Sequence, residues 1–391
     1  MFPTETTARQ LAELRRHFVQ RYGGVPRFFR APGRINLIGE HTDYNDGFVL
    51  PAAIDFAVWA AVAPRNDGRI RAFSTNFGEE AEFSLARGQE RQGRWSDFVE
   101  GPVWILQRCG YALRGADLLI CGDVPIGAGL SSSAAIQVVV ALALLTNSGL
   151  TVERSKLAEL CRRAENEFVG ARVGIMDPFV SCFGREGQAL ELDCRSLDCR
   201  WLSIPERAGL VICNSGVKHE NAASQYNNRR SECEEGVSLL SDYLPGIRAL
   251  RDVSRLDLES YGDRLPETIY RRCRHVISEN ARVKDASAAL EREDLESFGR
   301  LMGESHRSLR DDYQVSCPEL DLLVELSEST AGVFGARMTG GGFGGCTINL
   351  VDRDAVSQFE RLIAPVYEKR TGRAAQIWVV SASAAAGEVQ C

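Results

Sequence analysis

Gly127-Ala-Gly-Leu-Ser131-Ser132-Ser133-Ala-Ala135 sets two glycines and three serines between a strand-like run, Asp117-Leu-Leu-Ile-Cys-Gly-Asp-Val124, and an apolar run over residues 136–145. A glycine loop between a strand and a helix turns backbone N–H groups and the positive helix end toward one point, which suits a phosphate. The Walker-type loop ends in Gly-Lys-[Ser/Thr], and no lysine stands here. The three serines suit capping of the helix and contact with a phosphate or its metal ion. A glycine turn capping an ordinary helix is the plainer alternative.

A second constellation is Arg34-Ile-Asn-Leu-Ile-Gly-Glu40-His41-Thr42-Asp43-Tyr44-Asn45-Asp46-Gly47. Arg34 and Asn36 alternate with Ile35 and Leu37, so the polar pair projects from the opposite face of a strand. Glu40, His41 and Asp43 then crowd one turn, and adjacent carboxylates can each accept from two hydroxyls of a polyhydroxylated ligand. Asp-Tyr-Asn-Asp-Gly is equally good composition for a solvated turn. Glu165 and Asp177 flank Gly170 and Gly174, where a carboxylate beside a glycine break can face a cleft as a base or metal ligand. Trp95-Ser-Asp-Phe98 offers aromatic walls for a base or sugar, or two core residues. Residues 340–345 hold five glycines in six positions, a density that calls for close backbone approach.

These residues must be carried by a mixed scaffold. Helical spacing covers residues 5–21 (Ala8, Leu11, Leu14, Phe18), 99–109, 152–169, 221–238, 265–331 and 353–370. Strand-like runs cover 27–38, 48–63, 70–73, 117–124, 189–193, 210–214, 346–351 and 376–380. The two kinds alternate without a regular βαβ rhythm, so the expected class is α+β in two domains, 1–190 and 191–391.

At 391 residues, with 44% hydrophobic and 25% charged residues, the chain has the make-up of a soluble globular protein. A net charge of −7 argues against nucleic acid or an anionic membrane as main partner. The polar N-terminus and the short longest apolar run, 136–145, predict neither a signal peptide nor a membrane span. Twelve scattered cysteines without a Cys-x-x-Cys pair read as reduced thiols, so a cytoplasmic location is expected.

Together the segments resemble one family. Pro125-Ile-Gly-Ala-Gly-Leu-Ser-Ser-Ser-Ala-Ala135 resembles the ATP motif of the kinases that phosphorylate galactose, homoserine, mevalonate and phosphomevalonate. Arg34-Ile-Asn-Leu-Ile-Gly-Glu-His-Thr-Asp-Tyr44 resembles the galactokinase signature. Gly174-Ile-Met-Asp177, Val217-Lys-His219 with Tyr226-Asn-x-Arg-Arg230, the 306–313 segment and 335–346 resemble later galactokinase segments in the family's order. The resemblance spans roughly residues 9–380, and agreement across so many segments is what makes it specific.

The resemblance implies an N-terminal ribosomal protein S5 domain 2-like half and a C-terminal ferredoxin-like half, with the active site in the cleft between them. It implies ATP-dependent phosphorylation of the anomeric hydroxyl of D-galactose. Asp177 would be the catalytic base and Arg34 would steady the transferring phosphoryl group. Glu40, His41, Thr42, Asp43, Gly174, Asp177 and Tyr226 would contact the sugar. Gly127, Ala128, Gly129, Leu130, Ser131, Ser132 and Ser133 would hold the nucleotide, Trp95 and Phe98 the adenine, and Ser133 with Glu165 a Mg²⁺ ion. A kinase for N-acetylgalactosamine, arabinose or glucuronate, or a non-catalytic galactose sensor, are the alternatives; sensors lack part of the Ser131–Ala135 run that is intact here. The expected state is a monomer or homodimer. Pro178 stands where the family usually has glutamine, Glu220-Asn221 where it has Ser-Leu, and Gly341 where alanine is common. Pro178 removes a backbone donor beside Asp177.

Overall fold

The computed structural model describes residues 5–217 and 222–390, so Lys218, His219, Glu220 and Asn221 of the motifs above lie outside the described residues. The chain opens with α1 (Glu5–Tyr22), β1 (Arg27–Asn36), β2 (Phe48–Val49), β3 (Pro51–Arg65), β4 (Arg69–Ser74) and β5 (Glu79–Ser84). Then come α2 (Asp97–Arg108), β6 (Gly115–Gly122), α3 (Ser132–Asn147), α4 (Arg154–Arg163), α5 (Met176–Phe183), β7 (Gln188–Asp193), β8 (Cys199–Ser203) and β9 (Ala208–Asn214). A helical stretch follows: α6 (Ala222–Ser241), α7 (Arg255–Tyr261), α8 (Glu267–Glu291), α9 (Leu295–Ser308) and α10 (Pro318–Glu328). β10 (Val333–Thr339), β11 (Cys346–Asp352), α11 (Val356–Thr371), β12 (Gln376–Val380) and β13 (Gly387–Val389) complete the described order.

The first sheet runs β13-β1-β3-β6-β4-β5, antiparallel throughout except for the parallel pair β4–β6. One face is covered by α1, whose Leu11, Leu14 and Phe18 pack on Phe28, Trp59 and Leu119. The other face carries α3, flanked by α2, α4 and α5. α3 is buried from Ala134 to Leu145 apart from Ile136 and Leu142, as an almost wholly apolar helix must be. A second sheet, β10-β11-β9-β12, is backed by α9, α10 and α11, and α6 to α8 form a further helical layer. The architecture is mixed α+β.

Several boundaries differ from the sequence reading. The helix expected over 152–169 stops being α-helical at Arg163 and continues as a π-turn, Ala164–Val169. The 265–331 run is three helices and a second π-turn, Leu309–Tyr313. β5 went unread because Glu79, Glu80 and Glu82 break any apolar alternation on an exposed edge strand.

Candidate active site

β1 and the 127–133 loop touch at Gly33, where the β1–β3 register shifts. A Cβ at Gly33 would lie 2.7 Å from the Leu130 carbonyl oxygen, so only glycine allows this approach. The next residue, Arg34, donates its backbone N–H to the same oxygen at 3.1 Å. Its side chain then joins two functional elements. Nε and Nη2 donate to Asp177 Oδ1 and Oδ2 at 2.8 and 2.7 Å, and Nη1 donates to the Gly129 carbonyl at 2.7 Å. Arg34 is buried; that alone would lower its pKa, but the carboxylates of Asp177, Glu40 and Asp43 outweigh burial and hold it above the ordinary value.

Ser131 corrects one expectation. It occupies the N-cap position of α3 with φ 68° and makes no side-chain cap; its hydroxyl donates to Asp177 Oδ2 at 2.6 Å. The left-handed backbone is incompatible with the extended geometry of a capping serine. The first-turn N–H groups of α3 therefore gain no acceptor from it, which keeps them open to an anion. Pro178 lies in the first turn of α5, where a backbone N–H would lack an intrahelical acceptor in any case. Asp177 is held by side chains, so the missing donor does not disturb it.

The 39–47 turn lines a cavity of about 470 Å³ with Arg34, Glu40, His41, Asp43, Gly174, Asp177 and Tyr226. Glu40 is buried; its Oε1 accepts from the Gly340 N–H at 2.7 Å and Thr339 Oγ1 at 3.2 Å, and lies 3.5 Å from Arg337 Nη1. Burial raises its pKa, and Arg337 and Arg34 oppose that rise. Burial, reinforced by the negative charges of Asp177 and Glu40, pushes the Asp43 carboxyl up to about 7. Gly174 is required there, since a Cβ would sit 2.0 Å from Asp43 Oδ2. His41 adopts φ 63° and meets Tyr44 Oη at 2.7 Å through Nδ1; burial holds its pKa well below the ordinary value, so the ring is neutral. Tyr226 packs beside it, ring centroids 5.4 Å apart. Thr42 is the exception among the expected sugar contacts. Its Oγ1 faces the Gly39 and Phe48 carbonyls at 2.8 and 2.7 Å, so it shapes the turn and does not line the cavity.

A second cavity of about 460 Å³ lies on the other side of the 127–133 loop, lined by Trp95, Phe98, Ser132, Ser133 and apolar side chains such as Ile120 and Val124. Gly127 and Gly129 face the first cavity. Ala128 and Leu130 are buried and pack the loop onto the core. The 340–345 glycines do approach backbone closely: Cβ atoms at Gly340 and Gly344 would fall 2.8 and 2.6 Å from the Gly129 and Val217 carbonyls.

Glu165, on the first π-turn, is buried beside Ser133, and its Oε2 accepts from Gln137 Nε2 at 2.9 Å. Burial, with the negative charge of Asp177 behind it, pushes its carboxyl up to about 7. Among the described residues no three His, Cys, Asp or Glu side chains gather into a metal site. One buried carboxylate and one hydroxyl beside the 127–133 glycine-serine loop nevertheless fit Mg²⁺, which takes few protein ligands and completes its shell with phosphate and water.

Four contributors escaped the sequence reading. Phe77 stacks on Trp95, centroids 6.1 Å apart and planes at 15°. Arg337, fully buried on β10, donates to the Asn36 carbonyl at 2.9 Å beside Glu40. Glu279 on α8 accepts the Gly39 N–H at 2.9 Å, and His275 Nε2 lies 3.1 Å from the Glu40 carbonyl oxygen. Only the Ala336-Arg-Met-Thr339 run beside the glycine loop offered a signal, for Arg337.

Residues 16–64 match the galactokinase galactose-binding signature, residues 97–185 the N-terminal domain of GHMP kinases and residues 286–364 their C-terminal domain. The chain is 48% identical over 378 residues to a galactokinase of Roseiflexus sp., covering 96% of this chain and 97% of that one. A galactokinase of Chloroflexus aurantiacus is 48% identical over 379 residues, again 96% and 97% of the two chains. The crystal structure of Lactococcus lactis galactokinase complexed with galactose superposes with a TM-score of 0.94 at 36% identity, covering 97% of this chain and 100% of that one. Mevalonate kinase shares the fold at a TM-score of 0.64 and 18% identity. At 48% identity to curated galactokinases over 96% of its length, and with a galactokinase crystal structure superposing at a TM-score of 0.94, the chain belongs to the galactokinase family of the GHMP kinases.

Proposed function

We infer that this chain transfers the γ-phosphoryl group of ATP to the anomeric hydroxyl of D-galactose, giving α-D-galactose 1-phosphate and ADP. The observation that carries the reading is the Arg34–Asp177 pair, which faces the first cavity and is tied through Gly129 to the loop shared with the second. Galactose occupies the cavity of Glu40, His41, Asp43, Gly174 and Tyr226. ATP places its base against Trp95, Phe98 and Phe77 and its phosphates over residues 127–133. Asp177 Oδ takes the proton of the anomeric hydroxyl as it attacks the γ-phosphorus. Arg34 and the N–H groups of the loop neutralise the charge spread over the phosphoryl oxygens, since this chemistry is mainly positioning and electrostatics. Ser133 and Glu165 would hold a Mg²⁺ ion, whose charge would add to this neutralisation when bound.

The division into two domains is drawn near residue 190. No described helix is long and apolar enough to cross a membrane. The net charge of −7 and scattered thiols favour a cytoplasmic protein that binds neither nucleic acid nor membrane.

The deciding experiment is ADP release measured side by side with galactose, N-acetylgalactosamine, glucose and arabinose. Galactose should give the highest kcat/KM. Glucose, which turns the 4-hydroxyl, should be lower by at least about 10²-fold if one charged hydrogen bond is lost. A higher value for any of the other three would end the galactose reading and leave that of an anomeric sugar kinase.

A further inference from the structure

We propose that the depression where α8, α9 and the first turn of α7 meet binds the phosphate group of a small molecule, apart from the phosphoryl-transfer site. Arg274 and Arg282 lie eight residues apart on α8, Arg307 stands on α9 and Arg255 opens α7; all four line one depression of about 320 Å³. Such a gathering of cations runs against a net charge of −7.

The carboxylates at its edge are already engaged. Asp311 accepts from Arg310 Nε and Nη2 at 2.8 and 3.0 Å. Asp312 accepts from Arg274 and from Ser308 Oγ, the latter at 3.2 Å. The arginines, by contrast, keep donors in reserve. Arg282 commits Nε to Glu279 Oε2 at 2.6 Å, and its Nη2 is buried at the floor with no acceptor among the described residues. Arg307 is exposed and makes no ion pair among the described residues, and Arg255 comes no nearer than 3.9 Å to Glu259. Four guanidinium groups facing two lining carboxylates leave an excess of positive charge. A phosphate matches it, because its oxygens accept paired N–H donors from the planar guanidinium fork.

The test uses the whole protein with galactose and a non-hydrolysable ATP analogue saturating the transfer site. Inorganic phosphate and galactose 1-phosphate are titrated separately by calorimetry or ³¹P NMR. One equivalent should bind, and Arg255→Ser/Arg307→Ser should weaken binding about tenfold or more, the worth of a charged hydrogen bond, with turnover and Tm unchanged. Equal affinities would identify the phosphoryl group itself as the ligand; tighter binding of galactose 1-phosphate would identify a sugar phosphate. If the double variant loses its fold, Arg307→Ser is measured alone. No saturable binding up to about 10 mM of either probe, or binding undiminished in the variants, would overturn the proposal.

Discussion

Asp177→Asn separates geometry from basicity. The carboxylate accepts at 2.8 and 2.7 Å from Arg34 and at 2.6 Å from Ser131. An amide keeps the shape, loses the charge and turns an NH2 group toward one of those donors. Breaking a buried ion pair costs about 3–5 kcal/mol. Here the loss should be smaller, about 1–3 kcal/mol, because the Asp177 side chain is 24% exposed and Glu40 and Asp43 still face Arg34. Spread over the unfolding entropy of a 391-residue chain, that loss should lower the melting temperature by about 1–4 °C. Loss of the base should cost about 10²–10⁴ in kcat while galactose still binds, read by coupled ADP release and by calorimetry. If Asp177 serves only to hold Arg34, Asp177→Asn/Arg34→Ala will be no slower than Arg34→Ala; independent roles make the double variant slower by about tenfold or more. Turnover of folded Asp177→Asn within about tenfold of the parent would refute the reasoning.

Arg34→Lys keeps a charge but loses the planar fork that spans Asp177 and Gly129, so kcat/KM should fall by about 10² or more; full activity would remove Arg34 from the phosphoryl path. Ser133→Ala and Glu165→Ala should each move the Mg²⁺ activation curve to higher concentration, and curves unchanged in both would put the ion elsewhere. Burial lifts Asp43 to about 7. The folded chain thus keeps a proton that the unfolded chain releases near pH 4, and stability should fall as pH rises from about 4 to about 7. Asp43→Asn should flatten that slope in thermal melts between pH 5 and pH 8; an unchanged slope would locate the titration in another group. Arg337→Met strips Glu40 of its buried counter-ion and should lower Tm and raise the galactose KM. Adding Glu40→Gln should recover stability without recovering affinity, whereas recovery of both would make Arg337 a packing residue.

The parts of the site legible in the sequence are those whose partners are near in the chain. Glu40, His41 and Asp43 share one turn, and Gly127 to Ser133 one loop, so spacing alone carries their meaning. Arg337, Glu279 and His275 reach the same turn from elements more than two hundred residues away, with nothing local to announce them. β10 was hidden for a related reason: Gly335 interrupts its apolar pattern because a Cβ there would lie 2.3 Å from the Gly299 carbonyl on α9. Ser131 was misread as a cap because its positive φ is set by the loop and not by residue preference.

β13 pairs antiparallel with β1, Phe28 opposite Val389, and Arg27 Nε reaches Glu388 Oε1 at 2.7 Å across 361 positions. The strand that carries Arg34 is therefore finished by residues made 361 positions after it. During synthesis the 127–133 loop, the 39–47 turn and Asp177 all emerge while one edge of their sheet still shows unpaired N–H and C=O groups. Vectorial folding should consequently stall at an open-edged intermediate until residues 387–389 clear the ribosome, and removing them should lower the yield of soluble protein more than the loss of three pairs would suggest.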